Sequence, residues 1–335
     1  MSDLLPHRFS GPALLDLQVN GYGGFDFNSD PATWAAADFR RVRDGLAGRG
    51  VAVVLPTLIT APTDRLVAAA RRYREILRED PELEPNFPRL HLEGPFISPE
   101  DGPRGAHPRE SCALPVEQPD LVWRVMEESG GRVGLVTLAP ELPGALELVE
   151  RLSEAGIVVA IGHTAASAEC LDAAVRAGAR LSTHLGNGSH QMLPRLDNYV
   201  QAQLGDDRLA ASFIADGHHV PWYTLKNFLR AKTAARSILV SDSVAAADAP
   251  PGRYSIGDAV VEATPSGRVQ VPGQPNLAGS SLTLDRAVVN VATHCGFGFE
   301  EAWAMASTTP AALLGLTPPR EVEVEVSAEG CRVVS

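Results

Sequence analysis

Two histidines, a glutamate and an aspartate each stand at the end of a short apolar run or just after one. They are Glu93, His163, His184 and Asp242. Two histidines and one carboxylate make a common catalytic metal site, in which a fourth position stays open for water. A divalent ion in such a site acidifies water and polarises a carbonyl group. These residue types therefore predict a metal site that could activate water.

Each of these residues also has a plainer interpretation. A single histidine after a strand is often a structural residue that only makes hydrogen bonds, and Glu93 could be a buried ion-pair partner. Four such residues after four different apolar runs are harder to explain in this way. The metal site is therefore the stronger hypothesis, and it requires a fold that brings the ends of these runs together.

Eight short apolar runs predict parallel strands that are buried on both faces. They are Ala13–Val19, Val51–Leu55, Arg89–Glu93, Arg132–Leu138, Ile157–Ile161, Arg180–Thr183, Leu209–Ile214 and Ser237–Val240. Amphipathic stretches between them, including Thr63–Leu77, Ala145–Ala155 and Ala166–Ala177, predict helices. This alternation predicts a closed (β/α)8 barrel of the TIM type, since no G-x-G-x-x-G follows the first strand. Catalytic groups of such barrels gather at the carboxyl ends of the strands.

The sequence after the eighth strand predicts additions to the barrel. Arg253–Val271 is typical of a small hairpin insertion, and Leu282–His294 and Glu300–Leu314 are typical of closing helices. Glu321–Val334 alternates like a short pair of strands.

Composition excludes several classes of partner. The 335-residue chain carries a formal net charge of -12, which argues against nucleic acid and against an anionic membrane surface. A small phosphate could still bind to one or two local arginines. The four cysteines are scattered, no basic and apolar leader is visible at the start, and no apolar run approaches the ~20 residues that span a bilayer. We therefore expect a soluble cytoplasmic protein.

Several local motifs together resemble one family, the N-acetylglucosamine-6-phosphate deacetylases of the amidohydrolase superfamily. The motifs are Leu15–Gly21 (LDLQVNG), His91–Phe96 (HLEGPF), Gly105–Pro108 (GAHP), Leu138–Glu141 (LAPE), Gly162–Thr164 (GHT), Thr183–Leu185 (THL), Ala215–Val220 (ADGHHV), Val240–Asp242 (VSD) and Leu277–Ser281 (LAGSS). They follow the order of the family from Asp16 to about Leu316, and HLEGPF with GAHP downstream is the most specific signal.

The resemblance implies a reaction and the residues that carry it out. It implies hydrolysis of the N-acetyl group of N-acetylglucosamine 6-phosphate, which yields glucosamine 6-phosphate and acetate. Glu93, His163 and His184 would bind the metal, Asp242 would act as general base and acid, and His107 would contact the acetyl carbonyl. The metal would be zinc, with iron or cobalt also compatible with these ligands.

The resemblance also implies a set of substrate contacts. Arg195 would reach the phosphate from a second subunit, which predicts a homodimer, and His218 is an alternative to His219. The full set of predicted substrate-binding residues is Gly94, Asn187, Gly188, Arg195, His219 and Leu277.

The sequence departs from the family pattern at three places. Gln18 and Asn20 stand where many amidohydrolases have two histidines that bind a second metal, so we expect one ion per chain. The stretch 185–190 (LGNGSH) replaces a bulkier Asn-Ala-Met version. The accessory β-sandwich must be reduced or absent, which leaves a barrel over residues 11–316 and a remnant over residues 1–10 and 317–335.

Two rival functions remain. The altered stretch after His184 is compatible with a deacylase of a different N-acyl amino sugar or of an N-acyl amino acid. A catalytically inactive, sugar-binding sensor is the rival of another class, although a pure binder has no need for a base at Asp242.

Overall fold

The computed structural model describes residues 5–273 and 276–334. Within these residues the strands are β1 Arg8–Pro12, β2 Leu14–Val19, β3 Gly21–Tyr22, β4 Phe25–Asp26, β5 Val51–Ile59, β6 Leu90–Glu93, β7 Val133–Leu138, β8 Val158–Ile161, β9 Leu181–Ser182, β10 Ala210–Ile214, β11 Ser237–Val240, β12 Gly252–Ile256, β13 Ala259–Ala263, β14 Val269–Gln270, β15 Glu321–Ser327 and β16 Gly330–Val333. The α-helices are α1 Ala36–Ala47, α2 Thr63–Glu79, α3 Leu121–Glu128, α4 Ala145–Glu154, α5 Ala168–Ala177, α6 Tyr199–Gly205, α7 Trp222–Arg236, α8 Leu284–His294, α9 Phe299–Ala304 and α10 Thr308–Leu314.

The central element is a parallel sheet that closes into a barrel. Its strands follow the order β2, β5, β6, β7, β8, β9, β10 and β11. The amide of Asp242 donates to the carbonyl of Gln18 at 3.0 Å, and the amide of Asn20 donates to the carbonyl of Ser243 at 2.8 Å, which joins the last strand to the first. These contacts, with the helices between the strands, confirm the predicted (β/α)8 barrel.

The helices pack on the barrel through their apolar stripes, as the sequence pattern predicts. In α2 the side chains of Leu66, Tyr73 and Ile76 are buried, while the Arg71 side chain on the opposite face is about half exposed. The barrel strands bury both faces, because one faces the interior of the barrel and the other faces the helices.

The predicted closing helix Glu300–Leu314 is wrong, because two helices occupy this stretch. Helix α9 ends at Ala304, and Ser307 has a non-helical backbone (φ -134°, ψ -80°) before α10 begins. Pro310 explains the break, since its ring would clash with the carbonyl of Ala306 in a continuous helix.

The predicted hairpin Arg253–Val271 is also incomplete. Strand β13 pairs with β12 and, after a turn at Gly267 (φ +86°), with the short strand β14, so the insertion is a sheet of more than one hairpin. A positive φ suits a glycine, which makes this turn inexpensive.

Both ends of the described chain meet in a second small sheet. Strand β1 pairs antiparallel with β15, which pairs with β16. The Nε1 group of Trp303 donates to the carbonyl of Pro12 at 2.7 Å and fixes this sheet to the barrel. The described residues at the two ends thus form a three-stranded sheet. The domain division at residues 11 and 316 stays a prediction, and residues 1–4 and 335 of the predicted remnant lie outside the described residues.

Across the described residues, no helix combines the length and the hydropathy that crossing a bilayer requires.

The buried carboxyl group of Asp16, where the barrel closes, predicts that the stability of the protein depends on pH. Asp16 is buried and accepts hydrogen bonds from the amides of Ser241 and Gln18. Burial raises its pKa from 3.8 to about 7. The folded state therefore keeps a proton that the unfolded state loses between these values, so this contribution to stability disappears as pH rises through about 7.

We expect the free energy of unfolding to fall more steeply between about pH 5 and about pH 8 in the native protein than in Asp16→Asn, which cannot ionise. Urea unfolding at both pH values measures this difference. Asp64→Asn is the matched control, because the Asp64 side chain is 99% exposed. Parallel pH profiles for the native protein and Asp16→Asn would contradict the assignment.

Candidate active site

The four residues that the sequence predicted at strand ends lie together at the carboxyl mouth of the barrel. Glu93 is the last residue of β6, while His163, His184 and Asp242 each lie two residues beyond β8, β9 and β11. All four are buried. The last three have positive φ angles of 52°, 30° and 48°. Non-glycine residues in this region cost of order 1–3 kcal/mol each and cluster at functional sites.

Three ligand atoms converge in a triangle. Glu93 Oε1 lies 3.0 Å from His184 Nε2 and 3.2 Å from His163 Nε2, and the two nitrogens are 3.1 Å apart. For a tetrahedral ion with bonds of about 2.0–2.1 Å, adjacent ligand atoms lie about 3.3 Å apart. The spacing of the three atoms therefore fits one metal ion.

The protonation of His163 supports the same conclusion. Its Nδ1 lies 2.9 Å from the carbonyl of Pro103, which can only accept a hydrogen bond. A neutral ring with its proton on Nδ1 leaves a lone pair on Nε2. That lone pair faces Glu93 Oε1 and His184 Nε2, which is the arrangement of a metal ligand whose second nitrogen is held by a carbonyl.

Hydrogen bonds and charges within the triangle shift the pKa values of Glu93 and His184. Burial alone would raise the pKa of Glu93, but hydrogen bonds from His163 and His184 hold it well below its ordinary value. Burial alone would lower the pKa of His184, but the hydrogen bond to Glu93 and its charge raise it. A proton on His184 and a metal ion compete for the same place, so metal binding must release that proton.

His107 offers an alternative ligand at the same carboxylate. Its Nε2 lies 3.9 Å from Glu93 Oε2, and Glu93, His107 and His163 form a group of the described residues that could hold a metal ion. His107 is buried, and burial followed by the charge of His163 lowers its pKa to about 3. It is therefore neutral, and its role depends on which ring nitrogen carries the proton.

The two amides that replace histidines on the first strand hold the two carboxylates. Gln18 Nε2 donates to Glu93 Oε1 at 2.8 Å, and Asn20 Nδ2 donates to Asp242 Oδ1 at 2.7 Å. Both amide side chains are buried. Burial, with the charge of Glu93 added, raises the pKa of Asp242 to about 6. Sequence reasoning found these amides only as missing histidines and did not predict these contacts.

Two predicted substrate residues are glycines that pack against the site. Gly188 has φ +55°, and a Cβ there would lie 2.7 Å from His163 Nδ1. Gly94 has φ +90°, and a Cβ there would lie 2.1 Å from Thr60 Oγ1. A side chain at either position would collide with its neighbour, so each glycine allows a close approach.

The other four predicted substrate residues lie in three loops, and Asn187 and Arg195 share the loop between β9 and α6. The side-chain amide of Asn187 donates to the carbonyl of His184 at 3.1 Å. Leu277 forms an isolated bridge with Gln270, beside the inserted sheet. Arg195 is exposed in the loop before α6 and is not part of the buried group in its own chain.

The two adjacent histidines of the ADGHHV motif point to different partners. His219 Nδ1 lies 2.7 Å from Asp216 Oδ2, and its side chain is only 8% exposed. His218 is turned toward the insertion, where its Nε2 lies 2.9 Å from the carbonyl of Ser266. His219 is therefore the buried member of the pair, and His218 the one that contacts the insertion.

Thr60 contacts a predicted site residue and was missed by the sequence reasoning. Its Oγ1 lies 2.9 Å from His107 Nδ1. The predicted strand ends at Leu55, whereas β5 continues through Pro56 to Ile59 and places Thr60 at the mouth. A polar residue directly after the apolar run was the available signal.

A closed barrel with a buried His₂Glu triangle and a nearby aspartate at its carboxyl mouth defines a metal-dependent hydrolase of the amidohydrolase kind. No family model matches the chain. An N-acetylglucosamine-6-phosphate deacetylase of Danio rerio is 34% identical to it, over 93% of this chain and 76% of the relative. The chain belongs to the N-acetylglucosamine-6-phosphate deacetylase family.

Two further comparisons extend this result. An N-acetylgalactosamine-6-phosphate deacetylase of Escherichia coli O157:H7 is 33% identical, over 91% of this chain and 78% of the relative. The structure of a variant N-acetyl-D-glucosamine-6-phosphate deacetylase from Mycobacterium smegmatis, in complex with N-acetyl-D-glucosamine-6-phosphate, superposes with a TM-score of 0.85. It is 26% identical, and the match covers 98% of this chain and 87% of the other.

The site geometry predicts one tightly bound divalent ion per chain. The triangle supplies one set of ligands, and Gln18 and Asn20 offer amides where a second ion would need imidazoles. Elemental analysis of protein purified without added metal should give a metal-to-chain ratio near one. Glu93→Gln should lose most of this metal, whereas Glu100→Gln, at a side chain that is 60% exposed, is the matched control. A reproducible ratio near two would contradict the prediction.

Proposed function

We propose that this protein hydrolyses the N-acetyl group of N-acetylglucosamine 6-phosphate to give glucosamine 6-phosphate and acetate. The observation that carries the proposal is the buried triangle of Glu93, His163 and His184 at one mouth with the buried carboxylate of Asp242. The Danio rerio relative and the Mycobacterium smegmatis complex support this substrate. The triangle holds one divalent ion, with zinc as the first choice and iron or cobalt as alternatives.

The proton transfers are the task of Asp242. Glu93, His163 and His184 would hold a divalent ion, which when bound would supply acidification of water and polarisation of the acetyl carbonyl. Asp242 Oδ1 is held by Asn20, and the carboxylate accepts the proton of the attacking water. It then returns this proton to the nitrogen of the departing amine. The raised pKa of Asp242, about 6 because of burial, makes it a suitable acid for that second step near neutral pH.

His107 stabilises the carbonyl oxygen as negative charge develops. The ring is neutral and buried, and its Nε2 lies on the side of Glu93 Oε2. A neutral N–H that is already aimed at this oxygen needs no reorganisation during the reaction, which is why such donors contribute strongly to catalysis.

The sugar phosphate lies on the loops around the mouth. Asn187 and the backbone at Gly188 bind the sugar phosphate, beside the triangle. Gly94 and Leu277 border the sugar and the acetyl end, and His219 contributes to the phosphate contact.

Arg195 completes the phosphate site of a second subunit in a homodimer. It is exposed between Met192 and Leu196, whose relative exposures of 91% and 80% are unusual for large apolar residues. Burial of these side chains against a second copy would carry Arg195 to the other mouth.

All four cysteines lie in the described residues and are unpaired, which favours the reducing cytoplasm as the location.

A second candidate substrate is N-acetylgalactosamine 6-phosphate. The Escherichia coli relative that acts on this epimer is almost as similar as the Danio rerio relative, at 33% and 34% identity. The glycine-rich stretch 185–190 is the part of the mouth that departs most from the family pattern. Acetate release from both epimers, each with and without the phosphate, separates the two substrates.

Asp242→Asn tests the catalytic assignment. The side chains are nearly isosteric, and the amide oxygen of asparagine can still accept the hydrogen bond from Asn20. We expect the variant to keep its metal and its affinity for the substrate, and to lose at least about 10²-fold in kcat. Metal content, calorimetric affinity and acetate release are measured on one preparation.

Asp64→Asn, at an exposed aspartate, should behave like the native protein. An Asp242→Asn variant that keeps its metal and a near-native rate would remove Asp242 from the mechanism. A native protein that binds the sugar phosphate tightly and never releases acetate would instead support the inactive sensor.

Arg195→Ala tests the phosphate contact. A contact remote from the scissile bond contributes mainly uniform binding, which is expressed in KM. A charged hydrogen bond contributes about 1.5–3 kcal/mol, so KM for the phosphorylated substrate should rise about 10- to 100-fold, with a smaller change in kcat. Arg230→Ala, on the exposed face of α7, is the matched control.

A mixture of two variants, Arg195→Ala with its raised KM and Asp242→Asn with its low kcat, tests whether Arg195 acts across the dimer. A heterodimer of Arg195→Ala and Asp242→Asn subunits contains one site in which both residues are native, provided that Arg195 belongs to the neighbouring mouth. Low-substrate activity should therefore recover on mixing. If KM is unchanged in Arg195→Ala, Arg195 is a surface residue without a role in binding. If mixing restores no activity, Arg195 contributes to the site of its own subunit.

A further inference from the structure

The Thr60 hydroxyl is buried against His107 at the edge of the mouth. Thr60 follows β5 directly, and its relative exposure is 1%. Its Oγ1 lies 2.9 Å from His107 Nδ1. Within residues 5–273 and 276–334 this is the one hydrogen bond of the hydroxyl group. The direction of this bond is therefore decided by the two groups alone.

The hydrogen bond between Thr60 and His107 has two possible directions, and they differ in free energy. If His107 Nδ1 carried the proton and donated to Thr60, the hydroxyl proton of Thr60 would be buried without an acceptor, and an unsatisfied buried donor costs about 1–3 kcal/mol. If Thr60 donates, both its proton and the Nδ1 lone pair are satisfied. The second direction is the stable one, and it places the ring proton of neutral His107 on Nε2.

Because of the position of Nε2, this tautomer places a hydrogen-bond donor at the mouth. Nε2 faces the triangle and lies 3.9 Å from Glu93 Oε2, beyond hydrogen-bond distance. An Nε2–H group there is a donor that is available to a substrate oxygen. The opposite tautomer would present a lone pair, which can accept a hydrogen bond or bind a cation but cannot donate to a carbonyl oxygen. The hydrogen bond from Thr60 therefore selects between two possible roles of His107. It favours the role of oxyanion donor over that of metal ligand.

The absence of a side chain at Gly94 leaves room for the hydrogen bond between Thr60 and His107. Its φ of +90° is one that side chains rarely adopt, and a Cβ at this position would lie 2.1 Å from Thr60 Oγ1. Any side chain at residue 94 would displace the hydroxyl from His107. The glycine thus has a role that is separate from lining the sugar pocket.

We propose that Thr60 is a positioning residue that holds His107 as the Nε2–H tautomer, so that His107 donates a hydrogen bond to the acetyl carbonyl oxygen. This inference rests on the proposed function, because the carbonyl belongs to its substrate. Among the described residues, the Thr60 hydroxyl bonds to His107 and makes no hydrogen bond to Glu93, His163 or His184.

Thr60→Val and Thr60→Ser form the test pair. Valine has the shape of threonine without the hydroxyl, whereas serine keeps the hydroxyl. Loss of an oxyanion donor lowers kcat by about 10²–10³-fold, and Thr60→Val leaves His107 in place with an unfixed tautomer. We therefore expect a loss of up to about 10²-fold in kcat, with KM and metal content unchanged, and recovery in Thr60→Ser.

An N-trifluoroacetyl analogue of the substrate separates this effect from a merely structural one. Its carbonyl is more electrophilic and depends less on the donor, so the loss in Thr60→Val should be smaller for the analogue than for the N-acetyl substrate. An equal loss for both substrates, or a near-native kcat in Thr60→Val, would overturn the proposal.

Nitrogen-15 NMR of the metal-loaded native protein reports the tautomer independently of activity. The His107 signals are assigned by their absence in His107→Gln. A proton on Nε2 in the native protein and in Thr60→Ser is the expected result, and a proton on Nδ1 would overturn the proposal even if Thr60→Val does not fold. A native protein that shows the expected tautomer but releases no acetate from any N-acetyl sugar would refute the proposed function and leave the Thr60–His107 assignment standing.

Discussion

The mouth of this barrel depends on one electrostatic constraint, a buried carboxylate oxygen that faces two imidazole nitrogens. Glu93 Oε1, His163 Nε2 and His184 Nε2 lie 3.0–3.2 Å from one another. A carbonyl at Pro103 holds the proton of His163 on the far side of the ring, so its lone pair points into the triangle. A cation at the centre would balance this concentration of acceptors, and it would compete with the proton that the hydrogen bond to Glu93 favours on His184.

The rest of the mouth is arranged around that constraint. Left-handed backbone at His163, His184 and Asp242 turns each side chain inward directly after its strand. The amide of Gln18 donates to the same Glu93 oxygen that forms the triangle, and the amide of Asn20 donates to Asp242 Oδ1. The barrel supplies the rigidity that keeps such strained and desolvated groups in place, because its strands are buried on both faces.

Much of this architecture could be predicted from the sequence, since apolar runs mark the strands of a parallel barrel and polar residues after them mark its mouth. The details that could not be predicted depend on contacts between distant segments. The sequence reasoning ended the second barrel strand at Leu55, before Pro56, and so did not place Thr60 at the mouth. It joined α9 and α10 because apolar spacing continues across Ser307, where the backbone is not helical.

Some of the predicted site residues could be placed from the sequence, whereas others depend on contacts that the sequence does not reveal. Those at strand ends come together because the barrel determines where strands end. Arg195 lies in an exposed loop, so its role depends on a second copy of the chain and remains a proposal. The choice between His218 and His219 could not be made from the motif, whereas the structure directs His218 to the carbonyl of Ser266 and His219 to Asp216.

Anomalous diffraction from crystals of the metal-loaded protein tests whether Glu93, His163 and His184 hold the catalytic ion. We expect one strong peak per chain at the mouth, bonded to Nε2 of both histidines and to a carboxylate oxygen of Glu93, with His107 outside bonding distance. A peak bonded to His107 in place of His184, or no peak in a protein that releases acetate, would contradict it.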